Sequence, residues 1–303
     1  MIRIRFLGTA AARPTVGRNV SGIAVQREGQ SFLWDCGEGT QRQIMRYGSG
    51  FSFSHIFITH AHADHFLGIP GLLRTMGLQG REEAMTIHGP AGARPVLEAA
   101  VRMGVERLAF PVHVKSLEDG DRVDFGEWAV HAFAAEHGVA ALGYALIEEA
   151  RPGRFDVDAV RRLGVPEGPL FGRLHRGETI EVNGRAITPE EVVGPPRPGR
   201  KIIYTGDTRP TRRIVEVAMG ADLLIHEATF GAEEGRRARE TRHSTAAEAA
   251  RVAARARARR LVLTHISARY SDVPGVLRRQ AREVFPACEV AHDGLEVELG
   301  YRD

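Results

Sequence analysis

The run Thr59-His60-Ala61-His62-Ala63-Asp64-His65 follows the apolar segment Ile56-Phe57-Ile58 and contains four side chains that can bind a metal ion. Its first two histidines are separated by one residue in an extended segment, so both imidazoles can face one side and share an ion. The aspartate and the last histidine come after a bend and can face a second ion. Polar groups at this density are costly to bury unless a cation neutralises them. The run therefore predicts a metal site at the end of a buried strand, rather than a polar loop with scattered histidines.

The composition is that of a globular protein without a disulfide framework. With 303 residues, 43% of them hydrophobic, the chain can bury a substantial core in one or two domains. No 18-residue apolar stretch occurs, and the opening residues 1–6 alternate like a strand, so neither a membrane span nor a signal sequence is predicted. The two cysteines, Cys36 and Cys288, fit a reducing, cytoplasmic location.

The basic residues of the chain are nearly all arginine. Only Lys115 and Lys201 among the 41 basic residues are lysine, and the formal net charge is +3. Residues 231–260 carry nine arginines against four glutamates, which is a local excess of positive charge. A phosphate-rich partner would suit this excess, and an amphipathic helix with a solvated arginine face would explain it equally well.

The segment from Ala150 to Lys201 differs from the rest of the chain. It holds seven of the fifteen prolines and eight glycines, with ten basic against seven acidic residues. This composition predicts an irregular, arm-like insertion protruding from the main fold, and the alternative is a flexible linker. Apolar residues such as Phe155, Val160 and Phe171 argue against a linker, which would not need them.

Five apolar strands are predicted to end in residues that can bind a metal or move a proton. These residues are His60, His137, Asp207, the pair His226/Glu227, and His265. Ligands of open α/β sheets collect at the carboxyl ends of the strands, so the five ends are expected to converge on one rim. Helices are predicted over Thr40–Tyr47, Ile69–Leu78 and Arg94–Gly104, and a further helix begins at the capping box Thr245/Glu248.

Geometry divides the candidate ligands into two metal sites and a bridge. The first site has His60, His62 and His137; the second has Asp64, His65 and His265; Asp207 can lend one oxygen to each ion. Imidazole and carboxylate ligands suit zinc, and manganese is the alternative. Two zinc ions per subunit, roughly 3.5–4 Å apart, would hold a water molecule between them and lower its pKa. The pattern therefore predicts hydrolysis rather than a structural zinc site.

Several segments together resemble the ribonuclease Z family, the tRNA 3′-end endoribonucleases of the metallo-β-lactamase superfamily. The resemblance is carried by Asp35–Gln41, His60–Leu72, Gly206–Arg209, His226–Thr229, His243–Thr245 and Thr264–Tyr270. It implies an α/β fold, the αββα sandwich, with the dinuclear site along one edge. It further implies one catalytic domain over residues 1–303, interrupted at 150–200 by a flexible arm that serves as an exosite for tRNA.

The resemblance also implies roles for individual residues. The family pattern divides the metal ligands in the same way and makes Asp64 the acceptor of a proton from the attacking water. His243 and Glu227 match the family's pair for handling the leaving group. This is chemically reasonable, because a 3′-oxyanion needs a proton, an imidazole can donate one, and a carboxylate can orient the imidazole.

Two further segments are implied to bind the substrate. In the family the arm grips the tRNA held by the other subunit of a homodimer; Gly168 and Pro169 match its tip, and Arg173 and Arg176 are candidates for phosphate contacts. The family's PxKxRN loop appears as Pro14–Asn19, which includes Arg18 and Asn19. Val16 stands where the family has lysine, so weaker discrimination against precursors that encode CCA is expected.

The sequence therefore predicts a zinc-dependent endoribonuclease that removes the 3′ trailer from precursor tRNA and leaves a 3′-hydroxyl on the tRNA. A hydroxide bridging the two ions would attack the phosphodiester. The alternative is a small-molecule phosphodiesterase or another hydrolase of the same superfamily, which would not need the arm. An inactive RNA-binding module would be expected to have lost ligands, and this sequence retains all of them.

Overall fold

The structure is a computed structural model of the 303-residue chain and describes residues 1–104 and 107–302. Packing divides the chain into two units. The first unit combines Met1–Ile147 with Arg200–Tyr301, and the second is built on Glu148–Gly199. Residues 105 and 106 lie outside the described part of the chain. They directly follow Gly104, the last residue of the helix predicted over Arg94–Gly104.

Two large sheets form the centre of the first unit. The strands of the first sheet are β1 (Ile2–Gly8), β2 (Gly22–Arg27), β3 (Gln30–Cys36), β4 (Phe53–Phe57), β5 (Met85–Pro90), β6 (Val112–Leu117) and β16 (Glu296–Leu299). Their spatial order is β16-β1-β2-β3-β4-β5-β6, antiparallel from β16 to β3 and parallel from β3 to β6. The parallel half brings the carboxyl ends of β3, β4 and β5 to one edge.

The second sheet has the same mixture of directions. Its strands are β7 (Arg122–Asp124), β8 (Trp128–Ala134), β9 (Leu142–Glu148), β12 (Lys201–Tyr204), β13 (Leu223–Glu227), β14 (Leu261–Thr264) and β15 (Cys288–Val290). The spatial order is β15-β14-β13-β12-β9-β8-β7, and β12 to β15 run parallel. The strands β12, β13 and β14 therefore end at one edge as well.

The two sheets face each other across an apolar core. Strand β1 alternates buried and exposed side chains at its start, as a half-buried strand should. Phe32, Trp34 and Trp128 are fully buried in this core, with ring centroids 5.6–5.7 Å apart for Phe32 and each tryptophan. The aromatic contacts fix how the inner faces pack.

Helices cover the outer face of each sheet. Over the first sheet lie α1 (Thr40–Tyr47), α2 (Ala63–Phe66), α3 (Ile69–Leu78) and α4 (Arg94–Arg102); the second sheet has α7 (Arg212–Val217), α9 (Ala246–Arg255) and α10 (Gly275–Arg282). The short helix α8 (Gly235–Glu240) comes between β13 and α9 in the chain. Each helical layer has its own apolar cluster against the sheet. These four layers confirm the predicted αββα sandwich. Among the described helices, none combines the length and the apolar character needed to cross a membrane.

The second unit is more regular than its composition suggested. It contains α5 (Val157–Arg162), α6 (Pro169–His175), β10 (Ile180–Val182) and β11 (Arg185–Ile187), and the two strands pair antiparallel. Val160, Leu174 and Ile187 are completely buried in a small apolar cluster of its own. The apolar residues that argued against a linker thus form a core, and the expectation of an irregular segment underestimated this order.

Most predicted elements agree with the structure, with small shifts in their bounds. Helices α1 and α3 begin and end as predicted, and the capping box of Thr245 and Glu248 starts α9. The apolar segment Ile56-Phe57-Ile58, expected to form the buried strand before the histidines, lies at the end of β4, which is Phe53–Phe57. Beyond Phe57, the backbone N–H of Ile58 still donates to the oxygen of His88 in β5 (2.8 Å), whereas that of Thr59 donates to the side chain of Asp35 (2.8 Å). Four 3₁₀ turns complete the described structure: Ala91–Ala93, Pro189–Glu191, Ala232–Glu234 and Ala268–Tyr270.

Candidate metal centre

Polar residues from four of the five predicted strand ends lie together at one edge of the sandwich, and His226 is not among the clustered ligands. His60 follows β4 by three residues, and Asp207 follows β12 by the same interval. His137 follows β8, and His265 comes directly after β14. All four side chains are at least nine-tenths buried. Because the strands are anchored in the core, their loop residues start from fixed positions.

The first set of candidate ligands is tightly clustered. His60, His62, His137 and Asp207 each offer one atom, and these atoms all lie within 4.8 Å of one another. Nδ1 of His62 is 2.9 Å from Nε2 of His60 and 3.2 Å from Nε2 of His137. Three imidazole nitrogens that converge in this way match the ligand set of a single zinc ion.

The second set lies beside the first and shares Asp207 with it. Oδ2 of Asp64 is 3.4 Å from Nε2 of His65 and 3.4 Å from Nε2 of His265. Oδ2 of Asp207 is 3.4 Å from Nε2 of His65, 3.3 Å from Nε2 of His265 and 3.6 Å from Nε2 of His60. One carboxylate thus faces the nitrogens of both sets, which is the geometry expected of a bridging ligand.

Unpartnered buried atoms show that this cluster fits cations. Within residues 1–104 and 107–302, Nε2 of His65 and Oδ1 of Asp207 are buried and make no hydrogen bond. Burial would lower the pKa of His65, but the charges of Asp207, Asp35 and Asp64 hold it well above the ordinary histidine value. The carboxylates therefore create a negative field that a divalent cation would neutralise, and the donor set of imidazole nitrogen and carboxylate oxygen suits zinc.

Hydrogen bonds on the far side of each ring orient the histidines. Nδ1 of His65 donates to Oδ2 of Asp35 (2.7 Å), and Nδ1 of His137 donates to the backbone oxygen of Arg242 (3.1 Å). Nδ1 of His265 lies 2.9 Å from Oγ1 of Thr229. Such contacts leave Nε2 of each ring directed into the cluster, which is the usual way that proteins orient metal-binding histidines.

Asp35 supports the cluster, although the sequence predicted no role for it. It accepts hydrogen bonds from His65, from the backbone N–H of Thr59 and from the hydroxyl of Tyr204 (2.7 Å). The carboxylate is fully buried, and its backbone has φ 56°, a left-handed conformation. Its place in the segment Asp35–Gln41 was the available signal, but the contacts join residues far apart in sequence.

Glu227 and His243 lie next to the second ligand set. Nδ1 of His243 donates to Oε1 of Glu227 (2.9 Å) and is 4.0 Å from Oδ2 of Asp207. Burial opposes protonation of His243, but the charge and hydrogen bond of Glu227 outweigh it and raise the pKa of His243 to about 9. Glu227 is itself held by backbone N–H groups of Thr208 and Ser244. A protonated imidazole beside the cluster can act as a proton donor.

A residue just before the loop Pro14–Asn19 contacts the cluster. The backbone N–H of Ala12 donates to Oδ2 of Asp64 (2.8 Å). Arg18 is buried and donates to Oγ1 of Thr9 and the backbone oxygen of Ala291, so in this conformation it holds the loop rather than facing solvent. Val16 is fully exposed.

A cavity of about 410 Å³ opens next to this loop. Its lining includes Arg13 and Arg269 together with Ser267. Asn19, the last residue of the loop, donates from Nδ2 to the backbone oxygen of Glu38 (2.8 Å). Asn19 therefore ties the loop to the segment just before α1. Separately, Arg13 and Arg269 give the cavity a positively charged lining.

The candidate substrate residues of the second unit lie on and around α6. Gly168 precedes the helix with φ 141°, which suits glycine, and Pro169 is its first residue. Arg173 and Arg176 share one carboxylate, with Arg173 Nε 2.8 Å and Arg176 Nη2 3.3 Å from Glu178. Their role in binding a substrate stays an expectation.

The arginine-rich residues 231–260 do not form one uniform solvated face. Arg236 pairs with Glu240 (2.7 Å), Arg237 lies over the ring of Phe230, and Arg242 donates to the backbone oxygen of His137. Part of the positive charge is therefore engaged by the fold around the candidate centre.

The fold and the cluster place the protein in a class of metal-dependent hydrolases. A family model described as the metallo-beta-lactamase superfamily matches residues 15–265. A solved structure of human tRNase Z, short form, is 28% identical with a TM-score of 0.70, covering 98% of this chain and 99% of that one.

Curated relatives narrow the class. Ribonuclease Z of Myxococcus xanthus is 54% identical, with 100% of this chain and 99% of the relative covered. Ribonuclease Z of Haloferax volcanii is 52% identical, with 100% and 96% covered. The chain belongs to the ribonuclease Z family of the metallo-β-lactamase superfamily.

Proposed function

We propose that this protein is a metal-dependent endoribonuclease that removes the 3′ trailer from precursor tRNA. The observation that carries the proposal is the convergence of seven side chains, from strand ends far apart in sequence, into two ligand sets that share Asp207. The full-length similarity to ribonuclease Z supports tRNA as the substrate. The human tRNase Z structure supports the same reading.

Two zinc ions per subunit are the cofactors that the donor set suits best, and manganese is the alternative. His60, His62 and His137 would hold one ion; Asp64, His65 and His265 would hold the other; Asp207 would bridge them. When bound, the ions would supply a water molecule of lowered pKa and neutralise charge on the phosphate.

The chain's own residues account for the proton transfers. Asp64 would accept the proton of the attacking water, a role that comes from the resemblance to the family; its Oδ2 lies 3.4 Å from Nε2 of His65 and 3.4 Å from Nε2 of His265. The bond between phosphorus and the O3′ atom of the tRNA breaks, and the water oxygen becomes part of the 5′-phosphate of the trailer. His243, oriented by Glu227, would donate a proton to O3′ and leave a 3′-hydroxyl.

The second unit is proposed to be the tRNA-binding arm. Its exposed arginines, including Arg173 and Arg176, suit contacts with phosphates that position an RNA without reading its sequence. Gly168 and Pro169 would form its tip. A homodimer, in which the arm serves the neighbouring subunit, follows from the family resemblance. A cytoplasmic location suits the free thiols of Cys36 and Cys288.

Mapping the cut on one precursor tRNA tests the proposal. Incubation with zinc should give a tRNA ending in a 3′-hydroxyl and a trailer beginning with a 5′-phosphate. A chelator should stop the reaction, and added zinc or manganese should restore it, which also compares the two metals. Turnover of a small phosphodiester without trailer removal would instead support a small-molecule hydrolase.

A further inference from the structure

The helix α8 ends in a turn that leads directly to His243. The backbone N–H of His243 donates to the oxygen of Ala238 (2.7 Å), and that of Arg242 donates to the oxygen of Arg239 (3.2 Å). These two bonds define a Schellman motif, in which the residue before the last donor is left-handed. Arg242 occupies that position with φ 57°.

A left-handed residue at this position is usually glycine, because a Cβ atom makes the conformation unfavourable. The side chain of Arg242 makes a contact that glycine could not make. Its guanidinium donates to the backbone oxygen of His137 (2.9 Å), while its own backbone oxygen accepts from Nδ1 of His137 (3.1 Å). The two residues thus hold each other through a reciprocal pair of hydrogen bonds.

This reciprocal pair has a chemical consequence for His137. A carbonyl oxygen can only accept, so Nδ1 of His137 carries the proton and Nε2 keeps its lone pair. That Nε2 atom faces Nδ1 of His62 and Oδ2 of Asp207 in the first ligand set. The guanidinium bond keeps the carbonyl of Arg242 within reach of the ring, since it ties the turn after α8 to the backbone of His137.

We propose that Arg242 is a positioning residue that locks His137 in its metal-binding orientation and couples the turn carrying His243 to the first metal set. This role rests on the proposed metal centre, but it concerns a residue outside both ligand sets. Arg242 would act through His137 and would not touch the reacting phosphate.

Arg257 provides a matched control. It follows α9 in the same Schellman geometry, with its N–H bonded to the oxygen of Ala254 (3.1 Å) and the N–H of Ala258 bonded to the oxygen of Ala253 (3.0 Å). Its φ is 50°, and its side chain is exposed. Arg257→Gly therefore relieves the same backbone strain at a helix end that does not hold a candidate ligand.

The test compares Arg242→Gly, Arg242→Lys and Arg257→Gly in the full chain. Zinc affinity is measured by competition with a chromophoric chelator. The values of kcat and KM are measured on precursor tRNA, and the melting temperature is measured by calorimetry. Arg257→Gly should leave zinc affinity and kcat unchanged and should not lower the melting temperature. Arg242→Gly should also fold, yet lose roughly tenfold or more in the affinity of one zinc ion and a similar factor in kcat, with KM unchanged. Arg242→Lys should recover part of both losses.

Two results would overturn the proposal. The first is that Arg242→Gly matches Arg257→Gly in zinc affinity and kcat, which would leave the side chain without a positioning role. A rise in KM alone would instead make Arg242 a contact for RNA. The zinc measurement needs no RNA. If the natural protein does not cut precursor tRNA and Arg242→Gly still binds zinc more weakly than the natural protein, the proposed function is refuted while this role is supported.

Discussion

The metal cluster and the second unit hold their candidate functional side chains in opposite ways. Around the cluster, His65, His137 and His265 are buried, and each has a hydrogen-bond partner on the far side of its ring. On α6, Arg173 and Arg176 remain 46% and 67% exposed and share a single carboxylate. Side chains that are held both by burial and by a hydrogen bond suit a reaction that depends on exact placement of the reacting groups. Exposed cations suit binding that depends on charge and tolerates motion.

The largest effect is expected from removing the bridge of the cluster. Asp207→Ala deletes the carboxylate that faces both ligand sets. Several kcal/mol of charge stabilisation should be lost, which lowers the cleavage rate roughly a thousandfold or more. Single-turnover cleavage and zinc content by mass spectrometry measure the two consequences. Binding of precursor tRNA should change little, and an equal loss of binding would remove the distinction between the two regions.

Removing the proposed proton donor should have the next largest effect. His243→Ala deletes the imidazole that Glu227 holds protonated, with its pKa near 9, and should lower kcat about a hundredfold or more. A precursor whose scissile O3′ is replaced by sulfur has a leaving group that needs no proton. The variant should cut this substrate nearly as fast as the natural enzyme does. An undiminished defect on the sulfur substrate would argue against proton donation.

Deleting Pro152–Gly199 separates binding from chemistry. Ile147 and Lys201 are paired across β9 and β12, so a short glycine–serine link can close the gap. Affinity for precursor tRNA should fall roughly tenfold to a hundredfold, because the second contact with the RNA is lost. Turnover of a small phosphodiester should stay within about twofold. Unchanged cleavage of tRNA would favour the small-molecule hydrolase, and loss of both activities would indicate damage to the catalytic unit.

Acid should also distinguish the two units. In the first unit Nδ1 of His55 lies 3.0 Å from Nε2 of the buried His88, and both rings stack with Phe57. Burial, together with His55 and Lys115, lowers the pKa of His88 from 6.5 to about 3. The unfolded chain therefore binds a proton that the folded chain rejects. The stabilisation is complete above pH 6.5 and is lost as the pH falls toward 3.

The measurement is urea unfolding of the metal-free protein at pH 7 and pH 5. His88→Phe keeps the aromatic stacking and should remove about 2 kcal/mol of the acid-induced loss in unfolding free energy. His175→Phe is the control, because His175 in the second unit is exposed. Equal pH dependence in the natural protein and in His88→Phe would show that His88 is not desolvated as the structure has it.

Most strand ends and most of the cluster followed from local patterns and the αββα sandwich from the family resemblance, whereas the supporting contacts followed from neither. Strand ends with metal-binding side chains are readable because apolar runs and ligands are adjacent in sequence, as with Ile58 and His60. The contact of Asp35 with Tyr204 spans 169 positions, and that of Arg242 with His137 spans 105. No periodicity encodes such pairs, since they exist only once the two sheets have packed. Likewise, the regular structure of the second unit depends on a small apolar core. The many prolines and glycines of this segment predicted an irregular structure instead.

The smallest effect is expected in the loop Pro14–Asn19. Because Val16 is exposed and replaces the family's lysine, precursors with and without an encoded CCA should be cut with efficiencies within about threefold. Val16→Lys restores one exposed charge, worth about 1 kcal/mol, and should slow the CCA-containing precursor roughly fivefold while leaving the other unchanged. Kinetics on the matched pair of precursors measure both ratios. Strong inhibition of the natural protein by CCA would contradict this expectation. Arg13, the residue just before the loop, would then be the one to replace with alanine, since it lines the nearby cavity together with Arg269.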